Sequence, residues 1–141
     1  MIHLGELTVN TKAIFKWGVI LGFLINSSTI VAGEGHHHFS GDPVKSIAEI
    51  VMGLKHFPSK KERTQLKDIS SHSKDTNIKT ISHALINMRH SLKAQDKDNL
   101  ENILNDKNVS EEIKMLAEIV HNLNHKPSRA DKQKLSTLTG H

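Results

Sequence analysis

The 23 residues from Ile47 to Ile69 recur, without a gap, as Leu116 to Leu138. The two windows agree at nine positions, which in the first copy are Ala48, Glu49, Ile50, Val51, Leu54, His56, Pro58, Ser59 and Leu66. Unrelated sequences of ordinary composition would agree at roughly one or two. A weaker copy, Ile81 to Ile103, lies between them. It shares Ile81, His90, Leu100 and Ile103 with the first window, and Asn87, His90, Asp96, Lys97 and Leu100 with the last. The copies are offset by 34 and then 35 residues. A unit of that length holds two helices and a turn and cannot bury an apolar face alone, so three of them must stack. The expected fold is therefore all-α: three tandem helical hairpins, about six short helices, forming a small helical array or bundle. The repeats fall at about 44–71, 76–106 and 110–139, within a helical domain of 43–141.

The first helix of each repeat carries an apolar stripe. Val44, Ile47, Val51 and Leu54 form one; Ile78, Ile81, Leu85, Met88 and Leu92 the second; Ile113, Leu116, Val120 and Leu123 the third. Steps of three and four residues place each set on one side of a helix, which makes these the expected core. Helix starts are marked as well. Asp42-Pro43 supplies a cap and a first-turn proline, and Ser110-Glu111-Glu112 puts acids where the helix dipole favours them. Pro58-Ser59 with Glu62, and Pro127-Ser128 with Asp131, have the spacing of capping boxes. The second helices have few apolar positions (Leu66 and Ile69; Leu100, Ile103 and Leu104; Leu135 and Leu138) and must lean on neighbours for burial. The period equals that of tetratricopeptide repeats, but the aromatic and Gly-Tyr positions of those repeats are missing, and the chain is not assigned to that family.

The segment before the repeats is laid out as an export signal over residues 1–33. Lys12 and Lys16 precede an apolar run, Trp17 to Ile25, followed by Asn26-Ser27-Ser28 and the small-residue stretch Val31-Ala32-Gly33. The run is shorter than the roughly 20 helical residues that span a bilayer, so the expectation is cleavage after Ala32 or Gly33 and a product that does not span the membrane. That product would be periplasmic or secreted. The chain has no cysteine, so no disulfide supports the domain and helix packing must hold it together.

Composition excludes several function classes. Losing residues 1–33 removes Lys12, Lys16 and Glu6, which leaves 17 basic against 14 acidic side chains, net +3 against +4 for the whole chain. That modest charge, spread along the chain, is not the surface of a nucleic-acid binder. Only Phe39 and Phe57 remain as aromatic rings, too few for a base-stacking platform. No cysteine nucleophile, Gly-x-Ser-x-Gly, phosphate-cradling glycine loop or His-Glu-x-x-His segment occurs, so no enzyme and no nucleotide cofactor are expected. Glu118-Ile119-Val120-His121 matches one Glu-x-x-His element of a di-iron bundle, but its partner fails because Met52 stands three residues after Glu49. Haem is excluded by the absent Cys-x-x-Cys-His and by the outward placement of Met52.

Histidine stands out. Ten of the 11 histidines survive removal of residues 1–33. His36, His37 and His38 lie in a flexible, His-rich stretch, 34–42, at the expected mature terminus. If cleavage follows Gly33, His36 becomes the third residue, where the free amine, two backbone amides and the imidazole can wrap a square-planar Cu(II) or Ni(II) ion. Within the repeats, the trios Glu49, Met52, His56; His83, Ile86, His90; and Glu118, His121, His125 occupy matching positions. At 100° per residue these offsets place each trio on one face, opposite the core, and if the hairpins stack side by side the trios form a ladder of imidazoles and carboxylates. Glu118, His121 and His125 are the best single set, two imidazoles one turn apart with a third donor. A plainer account of His56, His90 and His125 is favourable interaction with helix carboxyl ends. Together these features point to a small exported protein that binds Cu(II), Ni(II) or Zn(II) as a buffer or delivery partner. The alternative is a metal-free module that holds another exported or envelope protein.

Overall fold

A computed structural model of the chain describes residues 40–140; the export segment, His36, His37, His38 and His141 lie outside them. The described residues are all-helical, with six helices and no strand. They are α1 (Pro43–Gly53), α2 (Lys60–His72), α3 (Thr76–Asn87), α4 (Ala94–Asn105), α5 (Glu111–His121) and α6 (Arg129–Thr139). None of these helices is long and apolar enough to cross a membrane.

The helices divide by burial as their apolar content dictates. α1, α3 and α5 form the interior: each touches the other two, and each buries four or five residues, among them Ile47 and Val51, Ile81 and Leu85, and Leu116 and Val120. Every residue of the three expected stripes is buried except Val44, which is half-buried against the core. α2, α4 and α6 are polar outside and insert only two or three residues each, chiefly Leu66 and Ile69, Leu100 and Ile103, and Leu135. Packing within one repeat is uneven, close between α3 and α4 and sparse between α1 and α2. The closest helix pairs join successive repeats, α2 with α3 and α4 with α5, whereas α1 and α2 of one repeat touch little. The last helix packs on the first, α6 on α1, so the array closes on itself in cyclic order.

Local capping follows the sequence. Ser59 and Glu62 form a full capping box, with the Ser59 amide donating to Glu62 Oε2 at 2.6 Å and the Glu62 amide to Ser59 Oγ at 3.3 Å. Ser128 and Asp131 repeat it at 2.8 and 3.1 Å. Asp42 caps α1, Asp75 caps α3 and Ser110 caps α5. The exception is α4. Its N-cap position holds Lys93, whose side chain cannot accept, and it makes no capping bond; Asp96, aligned with Glu62 and Asp131, leaves its Oδ2 buried without a partner. A second deviation of the middle repeat is Ser82, fully buried with an unpartnered hydroxyl where the flanking repeats have Ala48 and Ala117.

Two stability outcomes are expected. Leu85→Ala, at a fully buried position, should lower the unfolding free energy measured in urea by roughly 2–5 kcal/mol; a negligible change would remove Leu85 from the core. Lys93→Ser should rebuild the missing box with Asp96 and raise stability by about 1 kcal/mol, while Lys93→Ala should not.

Candidate functional site

The helices α1, α3 and α5 end at Gly53, Asn87 and His121. His56, His90 and His125 therefore lie beyond the helices, and the shared helical face expected for each trio does not extend to its last member. Each helix gives way to a buried apolar residue, Leu54, Met88 or Leu123, after which the chain crosses to the next helix. Because the inner helices pack mutually, their equivalent crossing segments (54–59, 88–93 and 123–128) meet.

Their histidines meet with them. The ring of His125 stands edge-to-face with that of His56, centroids 5.4 Å apart and planes at 61°, and with that of His90 at 6.2 Å and 72°. Three residues separated by 34 and 35 positions in the chain thus form one imidazole cluster with His125 at its centre. His56 and His90 are exposed and His125 half-buried. Phe57 extends the cluster, its ring 6.4 Å from that of His90; at 47% exposure it is the one exposed large apolar side chain among the described residues.

Arg63 ties two of the segments together. Its Nε donates to Pro58 O at 3.0 Å and its Nη2 to Met88 O at 3.0 Å, while the guanidinium carbon sits 5.8 Å from the Phe57 ring centroid. A planar guanidinium with several fixed donors suits this double role. It anchors the segments of repeats one and two beside His90 with no carboxylate involved in either bond.

His125 is unusual in two further ways. Its φ is +64°, the only positive value at a non-glycine residue among those described. Its Nδ1 is buried and has no hydrogen-bond partner. A left-handed backbone costs an L-residue with a bulky side chain roughly 1–2 kcal/mol, and an unmatched buried polar atom adds to that. Strain of this kind persists where the surroundings over-determine it, and it gathers at functional sites.

The other expected site residues are dispersed. Glu118 is exposed, and its Oε2 accepts from Lys134 Nζ at 3.1 Å, joining α5 to α6. His121 Nδ1 is paired with Asn122 Oδ1 at 3.2 Å. His83 is exposed, with its Nε2 3.1 Å from the buried Ser70 Oγ, a link between α3 and α2. Met52 is half-buried against the core. His36, His37 and His38 lie outside the described residues. Among the described residues no group of three His, Asp or Glu side chains is arranged as it stands to hold a metal ion. The recurrence of one histidine per repeat was visible in sequence. Its convergence was not, because that depends on cyclic closure, and nothing in the sequence marked Arg63 as a brace.

No family model, curated protein or solved structure matches the chain.

The backbone at His125 yields a direct test. His125→Gly and His125→Ala both delete the imidazole, but only glycine is at ease at φ +64°. The glycine variant should be the more stable of the two by about 1 kcal/mol in urea unfolding; equal stabilities would mean the segment does not hold that conformation.

Proposed function

We propose that this chain is a small exported helical protein that binds a divalent transition metal ion, Cu(II), Ni(II) or Zn(II), and serves as a buffer or delivery partner. The reading takes the six helices as three tandem repeat units and the segment before them as a cleaved export signal. One observation carries it: three imidazoles from equivalent positions of the three repeats gather at one place, and the central one keeps a buried, unpartnered ring nitrogen.

Imidazole is a common ligand for all three ions. With metal–nitrogen bonds of about 2.0–2.1 Å, two histidines on a tetrahedral ion have ring centres about 5 Å apart. The separations of 5.4 and 6.2 Å lie close to that value. What the rings lack is orientation, since edge-to-face packing does not aim three nitrogens at one point. The final torsion of a histidine is soft, so binding requires the rings to turn more than the backbone to move. His36 to His38 would add a separate set of donors near the mature terminus, and Glu118, His121 and His83 would be weak accessory donors.

Isothermal titration of the full chain with Zn(II) and Cu(II) tests the reading. Binding of one ion per chain should survive replacement of His36, His37 and His38 by alanine, and should weaken at least tenfold when His125 is replaced as well. Binding that depends wholly on His36 to His38 would leave the repeats without a metal role.

A second reading, an interaction module without metal, is favoured by the weak contact between α1 and α2. The two helices leave an open cleft of about 1060 Å³, lined by Glu49, Ile50, Lys61, Gln65, Asp68 and Ile69 among others.

A further inference from the structure

Resting on the export part of the reading above and not on the metal, we infer that Asn108, in the turn that joins α4 to α5, is an acceptor for an N-linked glycan. Three observations converge on this residue.

The first is the local sequence. Asn108-Val109-Ser110 has the acceptor spacing, an asparagine with a hydroxyl two residues on and no proline between them. Of the ten asparagines in the chain only Asn26 shares it, in Asn26-Ser27-Ser28, and cleavage after Ala32 or Gly33 removes that one. A mature chain starting at either point keeps a single acceptor sequence.

The second is presentation. α4 ends at Asn105 and α5 begins at Glu111, which leaves a connection of five residues, whereas α2 and α3 are joined by three, Ser73 to Asp75. The longer connection has room for a turn, and Asn108 stands exposed in it. Asp106 Oδ1 accepts from the Asn108 backbone amide at 2.8 Å, the Val109 amide donates to Asp106 O at 3.4 Å, and the Val109 side chain is buried in the core. These contacts fix the backbone around Asn108 and leave its carboxamide at the surface. A transferase can reach that group without opening a helix.

The third is the hydroxyl. Ser110 is exposed, with extended backbone angles of φ −64° and ψ 151°, and its Oγ accepts from the Ile113 amide at 3.4 Å. A hydroxyl that accepts in a helix cap keeps its own hydrogen for donation. The group that marks an acceptor asparagine is therefore at the surface beside it.

The co-reactant is an oligosaccharide carried on a lipid diphosphate. Asn108 Nδ2 bonds to C1 of the first sugar as the C1–O bond to the diphosphate breaks. The lipid diphosphate leaves with the bonding pair, and one Nδ2 proton passes to a base of the transferase. Asn108 precedes α5 and His125 follows it, so the 11 residues of that helix separate the glycan from the imidazole cluster.

The test incubates the folded, unmodified full chain with a purified single-subunit oligosaccharyltransferase and a lipid-diphosphate-linked oligosaccharide, and reads intact mass and glycopeptides. A glycan should appear on Asn108 whether or not Asn26→Gln is present. Asn108→Gln and Ser110→Ala should abolish it, with circular dichroism confirming that both variants keep their helices, and Ser110→Thr, which retains the hydroxyl, should preserve it. An unmodified Asn108 in the folded chain would overturn the inference, and modification of only a synthetic peptide spanning residues 100–116 would overturn presentation by the folded turn. Export is read separately, in cells that carry the same transferase. Loss of residues 1–32 or 1–33 without a glycan on Asn108 would overturn the inference with export intact. Transfer to Asn108 in vitro alongside retention of Trp17 in cells would defeat the cleaved signal and leave the acceptor standing.

Discussion

Mutual packing of α1, α3 and α5 is the constraint from which the other features of the domain derive. The chain has no cysteine, and the outer helices bury too little to persist alone, since an isolated helix of 11–13 residues is marginal in water. Stability therefore comes from three apolar stripes that face one another. Burial of a Leu or Ile side chain contributes about 1.5–3 kcal/mol, and positions such as Ile47, Ile81 and Leu116 are fully enclosed. α2, α4 and α6 are held because each covers a seam between inner helices with one or two large side chains.

Cyclic closure has a consequence for the loops. In an open stack, equivalent loops form a row, and the first and last are far apart. Here α6 packs on α1 and each inner helix meets both others, so equivalent segments gather at one place. A residue type repeated once per unit becomes a cluster rather than a ladder. That is how His56 and His90 both come within ring contact of His125.

Much of this architecture was legible in sequence, and the part that was not has a physical cause. The six helices, both capping boxes and the inward residues follow from local rules, because a Ser-x-x-Glu turn or an apolar residue every third or fourth position acts within one helix. The hairpin picture overstated contact within a repeat, since short polar second helices such as α2 find more apolar surface on the following unit. The histidine face failed for a more specific reason. Extending the helical offset from Glu49 to His56 assumes an unbroken helix, yet Leu54 and Met88 adopt extended backbone angles and each helix ends three residues before its histidine, at Gly53 before His56 and at Asn87 before His90. Nine of the thirteen stripe residues lie inside the helices, and Leu54, Met88, Leu92 and Leu123 are buried although they fall beyond the helix ends; His56, His90 and His125 also sit beyond the ends, without that burial.

The repeats differ in how far each keeps to local stability. The middle unit has lost its N-cap serine and carries a buried, unpartnered Ser82 hydroxyl, departures that cost stability with no visible compensation and are tolerated because Ile81, Leu85 and Met88 stay fully buried. In the third unit the departure falls at the histidine cluster. The loop has the same length as that of the first, LNHKPS against LKHFPS, yet α5 ends through Asn122 near φ −90°, ψ 1° instead of passing directly into extended backbone. The following turn then places His125 in the left-handed region. A glycine or asparagine would relieve that strain at the same position. Histidine there, with a buried ring nitrogen left unmatched, is the choice that local stability alone would not make.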